Sequence, residues 1–486
     1  MEATERDGTW IGSTPVGVVT ARRRRGGPLL VDRPAAGRFR DLEPLMLRDG
    51  LPVVDGAVLR PVRDIPPEFG ARCGWYEGDD RTVLLTQFPE AYFGEPMILV
   101  SEGDRVIRAY PVDETSLIGE DGAVVDLVDG GLRISAGGAV ASLPRSPRYR
   151  EEEAAFDAGG TPLSGTVIVP EAPGLRPAAV VVNGAAGGQR DLARLLAQPL
   201  LDAGVAVLIY DKAGHGRSGG AGEPSTFDQA NTAAAGMDLL GERSDVDEAR
   251  VGLMGFSNGM WAVPMVAARR RVAFVAGIGS PGVSMAESEV HRRTKVLREA
   301  GVGSATVTAV AEAWRCLFAI AGAGTATEEQ TGRLDRVLRA LATAEDLSRY
   351  EVPDFVRENP MLSPIPPSVP VEDLLAMVSG DPDPQLTYDP AADYGRMRCP
   401  VFLQYGSDDT SVPVAASVAQ IEKALGDSGA RATIRVYTGL EHMLNLVPDD
   451  YTGLAPEAVM YQFHRFRFGD GVRHDLTSWL REVLRC

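Results

Sequence analysis

Short apolar runs separated by turn signals fill the first 148 residues of the chain. Representative runs lie at 82–85 and 97–100, and Asp-Gly pairs such as Asp121-Gly122 stand between runs of this kind. Asp-Gly pairs between short apolar runs are typical of β-hairpins. The pattern therefore predicts a small β-rich domain over residues 1–148.

After residue 148 the pattern changes to longer apolar runs that alternate with segments of helical length. Six mostly apolar runs are candidates for the strands of one sheet: 178–183, 205–210, 251–255, 273–278, 400–405 and 433–437. Buried strands separated by helices are typical of a parallel sheet that carries helices on both faces. The pattern predicts an α/β fold with a mostly parallel sheet, divided between residues 149–282 and 396–486.

The alternation of strands and helices is interrupted once, over residues 283–395. Apolar residues recur there at helical spacing from Leu334 to Leu341, and Thr325 and Glu328 have the spacing of a capping box ahead of them. The interruption is too long to be a single crossover connection. We therefore expect a helical cap that lies on the sheet.

The net negative charge of the chain disfavours anionic binding partners. Acidic residues outnumber basic residues by 67 to 49, which gives the chain a formal net charge of −18. A surface of this charge repels nucleic-acid phosphates and anionic lipid headgroups. No apolar run approaches the ~18 residues of a membrane span. We expect a small-molecule partner and neither a nucleic acid nor a membrane.

The four cysteines lie far apart and form no C-x-x-C pair: Cys73, Cys316, Cys399 and Cys486. This spacing predicts neither a structural zinc site nor a disulfide framework, and it suits a reducing compartment. The sequence thus predicts a cytoplasmic protein without a metal site.

The strongest local signal for chemistry is the G-x-S-x-G motif Gly255-Phe-Ser257-Asn-Gly259. It stands directly after the apolar run 251–255 and ahead of a helical segment, which is the strand–turn–helix setting that this motif requires. A sharp turn leaves little room for side chains at its flanking positions, which explains the glycines. Ser257 is therefore the candidate nucleophile.

A serine hydroxyl needs a histidine base, and that base needs an orienting acid. After a G-x-S-x-G nucleophile the acid comes next in the chain and the histidine follows it. Among the five histidines, His442 is the one that follows the last predicted strand in a loop. The run 400–405 is followed by Asp408 and Asp409, and the residue pattern alone leaves the choice between these two aspartates open.

Acyl transfer also requires N–H donors aimed at the tetrahedral oxyanion. One donor is expected from the backbone of Asn258, the residue after the nucleophile, and the other from Ala185 in the glycine-rich loop 183–188. A glycine-rich loop can also bind a phosphate, but this loop lacks the residue order of nucleotide sites. We expect no cofactor.

At these motifs the chain resembles the α/β-hydrolase superfamily, in particular bacterial cap-containing serine hydrolases. These include esterases, S9-like or S33-like peptidases and relatives of dienelactone hydrolase. The resemblance rests on five segments: 147–153 with 163–170, 210–218, 255–259 and 388–390. The pattern G-x-x-D-x-x-V-P of these enzymes falls on Gly406, Asp409, Val412 and Pro413, which implies that Asp409 is the acid.

Two positions depart from the pattern of these enzymes. The oxyanion loop commonly begins with His-Gly but here begins with Asn183-Gly184, and the base is followed by Met443 instead of glycine. The oxyanion donor is a backbone amide, so the change at Asn183 is compatible with catalysis. Met443 either lines an apolar pocket or packs in the protein interior.

The sequence predicts a serine hydrolase that cleaves a carboxylic ester, lactone or thioester of a small to medium apolar molecule. An acyltransferase or cyclase with the same catalytic residues is the first alternative, followed by an amidase or peptidase and by a non-catalytic binding protein. The sequence leaves a homodimer open. His291, Trp314 and Phe318 of the cap are candidate pocket residues, although helix packing explains them better.

Overall fold

The computed structural model describes most of the 486-residue chain. The described residues are 8–23, 27–36, 38–78, 81–88, 97–185, 188–350, 363–366, 368–446 and 466–484.

Three antiparallel sheets form the amino-terminal part. The first sheet has the strand order β4-β3-β2-β1-β8 and a small sheet has the order β5-β6-β7. Their strands are β1 (Gly8–Thr14), β2 (Gly17–Arg23), β3 (Leu29–Arg33), β4 (Arg38–Glu43), β5 (Leu47–Arg48), β6 (Leu51–Val54), β7 (Ala57–Val58) and β8 (Arg60–Pro61).

The third sheet is larger and has nine strands, eight of them consecutive neighbours from β9 to β16. These strands are β9 (Gly74–Gly78), β10 (Arg81–Phe88), β11 (Met97–Glu102), β12 (Arg105–Pro111), β13 (Ser116–Gly119), β14 (Val124–Val128), β15 (Gly131–Ala136) and β16 (Ala139–Pro144). A late strand, β25 (Phe466–Arg467), pairs with β12. This pairing connects the amino-terminal part of the chain with its carboxyl-terminal part.

The sheet that follows has eight strands in the order β17-β18-β20-β19-β21-β22-β23-β24. Its strands are β17 (Tyr149–Ala158), β18 (Thr161–Pro170), β19 (Arg176–Val182), β20 (Ala206–Tyr210), β21 (Val246–Phe256), β22 (Val275–Ile278), β23 (Val401–Gly406) and β24 (Ala432–Tyr437). The strands from β19 to β24 pair in parallel, and the hairpin of β17 and β18 is antiparallel. All six apolar runs identified in the sequence form strands of this sheet.

Ten α-helices lie within the described residues. They are α1 (Ala193–Asp202), α2 (Thr226–Gly241), α3 (Gly259–Ala267), α4 (Met285–Glu299), α5 (Ser304–Ala323), α6 (Glu328–Ala342), α7 (Val371–Val378), α8 (Ala391–Tyr394), α9 (Val414–Ser428) and α10 (Val472–Leu484). Helices cover both faces of the eight-stranded sheet because its buried strand residues alternate between two clusters. Val181 packs with α1 and α10, whereas its neighbour Val180 packs with α2, α3 and α9.

The nine-stranded sheet packs against the face that carries α1 and α10. Trp75, Leu84 and Met97 belong to the same hydrophobic cluster as these two helices. Polar contacts reinforce the interface, since the side chain of Gln87 donates to the carboxylate of Asp191 at 2.6 Å. The nine-stranded sheet therefore lies beside the face of the eight-stranded sheet that α1 and α10 cover.

Helices α4 to α8 lie between β22 and β23, and we call residues 283–395 the helical insertion. Side chains of α4 to α7 share one hydrophobic cluster, whereas Tyr394 of α8 packs in the cluster of α2, α3 and α9. A hydrogen bond of 2.9 Å from the indole of Trp261 in α3 to the carbonyl of Val283 anchors the start of the insertion to the sheet. Part of the proline-rich stretch 360–370 lies outside the described residues.

The predicted capping box in this insertion is wrong by two residues. Helix α6 has Thr327 as its N-cap, whose hydroxyl accepts the N–H of Gln330 at 3.2 Å while the Gln330 side chain accepts the N–H of Thr327 at 2.9 Å. Thr327, and not Thr325, immediately precedes the first helical residue, so only Thr327 can reach the third residue of the helix.

One helix of the described residues, α5, is long and apolar enough to cross a membrane by length and composition alone. Glu312 and Arg315 interrupt it, so it contains no continuous apolar run of that length. Here its buried side chains, among them Val310, Trp314 and Ile320, pack against α4, α6 and α7.

Candidate active site

Ser257 lies in a tight turn between β21 and α3. Its φ angle of +50° is in the left-handed region, which is strained for a residue with a side chain. The flanking glycines make the turn possible, since a Cβ at Gly259 would lie 2.4 Å from the carbonyl oxygen of Val182 and one at Gly255 would lie 2.5 Å from the sulfur of Met260. The strained turn places the Ser257 hydroxyl at the carboxyl edge of the sheet.

His442 reaches this serine from the loop after β24. Its Nε2 lies 2.8 Å from the Oγ of Ser257, and its Nδ1 lies 2.7 Å from Oδ2 of Asp409. Because a carboxylate only accepts hydrogen bonds, Nδ1 donates to Asp409, which leaves Nε2 free to accept from Ser257. The imidazole is buried, with 5% of its surface exposed.

Asp409 and its neighbour Asp408 have different environments. The side chain of Asp409 is fully buried, and its Oδ1 accepts the backbone N–H groups of Ser411 and Val412, both at 2.8 Å. Asp408 is exposed and accepts a hydrogen bond from the hydroxyl of Ser407 at 2.6 Å. The structure thus brings Asp409, and not Asp408, to the imidazole.

Gly279 is a residue of the site that the sequence did not single out. It follows β22 with a φ of +57°, and a Cβ there would lie 2.7 Å from Cε1 of His442. Only glycine leaves room for the imidazole at this position. No motif in the sequence marks Gly279 among the 54 glycines, so its contribution became visible only in the structure.

We expect Gly279→Ala to lower kcat by about 10²-fold, because displacing a catalytic group by about 1 Å has effects of that size. A matched control is Gly429→Ala, since Gly429 has a similar φ of +73° but no heavy atom within 4 Å of the added Cβ. Ester hydrolysis by both variants measures the effect. Equal activities of the two variants would show that the collision with His442 has no consequence.

The two expected oxyanion donors belong to two separate segments of the chain, the start of α3 and the loop after β19. Asn258 directly precedes α3, and its side chain accepts a hydrogen bond of 2.7 Å from Gln229. The loop after β19 passes close by, since a Cβ at Gly184 would lie 3.2 Å from the carbonyl oxygen of Phe256. Ala185 follows in this loop and is exposed, while residues 186 and 187 lie outside the described residues.

Glu441 is a buried carboxyl next to His442 that the sequence did not identify. It is 8% exposed, and its Oε2 has no hydrogen-bond partner among the described residues. Burial raises the pKa of this carboxyl to about 7, with a further contribution from the negative charge of Asp409. The loop that carries the base therefore contains a group that titrates near neutral pH.

This titration predicts a pH-dependent stability. The pKa of Glu441 is higher in the folded chain (about 7) than its ordinary value of 4.5, so the folded chain loses stability as the pH rises between these values. Glu441→Gln removes the carboxylate whose burial destabilises the folded chain at high pH. The unfolding free energy of the variant, relative to that of wild type, should therefore rise by about 2 kcal/mol from about pH 5 to about pH 8. Urea unfolding at both pH values measures it, with Glu422→Gln, an exposed change on α9, as the control. A pH-independent difference would contradict the titration.

Other residues named from the sequence have structural contacts. The rings of Trp314 and Phe318 stack on each other with their centroids 5.5 Å apart, and the guanidinium of Arg293 lies over both rings. The two side chains therefore pack inside the helical insertion. Met443 packs against the cluster around α1 and α10. His291 of α4 is half-buried near Asp409, and burial lowers its pKa.

Within the described ranges, no three His, Cys, Asp or Glu side chains group together as ligands of a metal ion would.

The chain belongs to the S15 peptidase family, described as X-Pro dipeptidyl-peptidase, whose family model matches residues 159–421. The match includes Ser257 and Asp409 but ends before His442. It places the chain among the serine hydrolases of the α/β-hydrolase class, which confirms the resemblance inferred from the sequence.

Two curated relatives are uncharacterized proteins of Mycobacterium tuberculosis, from the strains CDC 1551 and H37Rv. Each is 36% identical over 128 residues, which are 26% of this chain and 44% of the relative. The chain thus spans less than half the length of these relatives.

Similar solved structures include a 2,6-dihydroxy-pseudo-oxynicotine hydrolase, at 16% identity and a TM-score of 0.39, covering 68% of each chain. An esterase of Pyrococcus furiosus is 15% identical with a TM-score of 0.40, covering 69% of this chain and 91% of the esterase.

Proposed function

We propose that the protein hydrolyses a carboxylic ester, lactone or thioester of a small to medium apolar molecule through an acyl-enzyme on Ser257. The observation that carries this proposal is the continuous series of hydrogen bonds from Ser257 through His442 to Asp409. Such a series activates a serine hydroxyl that is otherwise a weak nucleophile.

In the proposed mechanism, Ser257 Oγ attacks the acyl carbon while Nε2 of His442 takes its proton. Asp409 holds the imidazole in the required tautomer and stabilises the imidazolium that forms. The backbone N–H groups of Ala185 and Asn258 stabilise the oxyanion, assisted by the positive end of the α3 dipole. His442 then donates its proton to the leaving group, and a water molecule that it activates releases the acyl group.

The family description raises peptide cleavage as the competing activity. A dipeptidyl-peptidase needs carboxylates that bind the α-amino group of its substrate, and the sequence offers no clear acidic pair for that purpose. We therefore rank ester cleavage ahead of peptide cleavage. A cytoplasmic location, a homodimer and acyl transfer to a nucleophile other than water stay predictions.

A panel of p-nitrophenyl esters from acetate to laurate tests the substrate class, with Gly-Pro-p-nitroanilide as the peptide substrate. We expect ester turnover with an optimum at short or medium acyl length and much slower release of p-nitroaniline. Faster cleavage of the anilide than of every ester would overturn the ester assignment in favour of a peptidase.

A further inference from the structure

Lys212 is a buried cation beside the candidate oxyanion loop. It follows β20 in the turn 211–218, and only 2% of its surface is exposed. Its ammonium donates to the carbonyl oxygen of Gly184 at 2.5 Å and lies 3.4 Å from that of Ala185. Burying an ammonium group is costly unless it forms hydrogen bonds, and here its partners include carbonyl groups of this loop.

These contacts determine the direction of the loop's N–H groups. The carbonyl of Gly184 and the N–H of Ala185 belong to one peptide unit, and no peptide bond among the described residues is cis. In a trans peptide the C=O and N–H bonds point in opposite directions. Because the carbonyl of Gly184 points at Lys212, the N–H of Ala185 points away from Lys212.

The same turn also contacts Gly188 at the end of the loop and Arg190 beyond it. The backbone N–H of Lys212 donates to the carbonyl of Gly188 at 2.7 Å. The carboxylate of Asp211 pairs with the guanidinium of Arg190 at 2.8 Å and accepts the Arg190 backbone N–H at 2.9 Å. The turn therefore contacts the loop at several points, and the ammonium of Lys212 is its contact with the Gly184–Ala185 peptide.

We infer that Lys212 is a positioning residue that orients the N–H of Ala185 as an oxyanion donor. This inference rests on the proposed function, since it assigns Lys212 to the same oxyanion site. The ammonium also polarises the carbonyl that it binds, which strengthens the N–H donor of the same peptide unit. Its positive charge favours the negative charge that develops on the oxyanion in a site of low dielectric constant.

These effects act in the transition state, where the oxyanion forms, and have little influence on the bound ester. Loss of the ammonium should therefore lower kcat and leave KM nearly unchanged. If Lys212 only supported the fold, its replacement would instead lower the stability of the protein, or would change kcat and KM together.

The test compares Lys212→Met, Lys212→Gln and wild type with a p-nitrophenyl ester and with a trifluoromethyl ketone, which forms a tetrahedral adduct on the serine. For Lys212→Met we expect kcat to fall by about 10²-fold, as for loss of one oxyanion donor, with KM within about twofold of wild type. Affinity for the ketone should fall by the same factor as kcat/KM. Lys212→Gln can still donate to the carbonyl of Gly184 and should recover part of the loss.

The control is Lys423→Met, which removes an exposed lysine on α9 and should leave both constants unchanged. Wild-type kcat in a folded Lys212→Met, or a raised KM with unchanged kcat, would overturn the inference. If Lys212→Met does not fold, Lys212→Gln decides by the same criteria. Ser257→Ala separates the two proposals: activity that survives in it removes the proposed function and the inference together, whereas Ser257-dependent activity that is insensitive to Lys212 removes the inference alone.

Discussion

Replacing Ser257 by alanine is expected to lower kcat for p-nitrophenyl ester hydrolysis by about 10⁶-fold. The substitution removes the hydroxyl that lies 2.8 Å from Nε2 of His442 and leaves no nucleophile in its place. Alanine keeps a Cβ at the position with a φ of +50°, so the strained turn experiences no new contact. Steady-state kinetics, together with circular dichroism to check the fold, measures the effect.

A loss of less than tenfold in a folded Ser257→Ala protein would contradict this expectation, because it would place the nucleophile elsewhere. A residual rate well above that of the uncatalysed reaction is compatible with it, since oxyanion donors and substrate binding contribute catalysis of their own.

Replacing Asp409 by asparagine is expected to lower kcat by about 10⁴-fold, because the amide presents a donor where the imidazole needs an acceptor. His442 then loses the tautomer in which Nδ1 donates and Nε2 accepts. The two N–H groups of Ser411 and Val412 keep an oxygen acceptor in the variant, so the loop should keep its conformation.

Asp408→Asn is the matched control for this substitution. It makes the same chemical change one residue earlier, on an exposed carboxylate that faces Ser407. We expect activity close to that of wild type. If Asp408→Asn lost as much activity as Asp409→Asn, or if Asp409→Asn remained active, the assignment of the acid would be wrong. The pH dependence of kcat provides a second comparison of Asp408→Asn with Asp409→Asn.

The sheet was predictable from the sequence because its central strands, such as β19 and β20, are buried on both faces. Runs such as 178–182 and 205–209 are apolar at every position, and neither surface strands nor amphipathic helices show this pattern. The turn at Ser257 was predictable for a related reason: its glycines and its position between a strand and a helix form a local pattern.

Residues that act across the fold were less accessible to sequence reasoning. The residue types alone left Asp408 and Asp409 open, since the decision depends on which carboxylate the loop after β23 turns inward. Gly279 matters through a ring that comes from a loop more than 150 positions away in the chain. Lys212 lies in a segment that the sequence marked only as a tight turn.

The packing of the amino-terminal sheet was also hidden from the sequence. The apolar runs predicted its strands, but the pattern did not reveal that Trp75 and Leu84 share a cluster with α1 and α10. In the sequence, strand residues that are buried against a second layer look the same as strand residues that are buried within their own layer. Only long-range contacts distinguish the two cases.

The most direct test of the central claim is mass spectrometry of the protein after reaction with a fluorophosphonate, which modifies activated serines. We expect one adduct per chain, located on the peptide that contains Ser257, and no adduct in Ser257→Ala. An adduct on a different residue, or labelling that persists in Ser257→Ala, would contradict the assignment of Ser257 as the nucleophile.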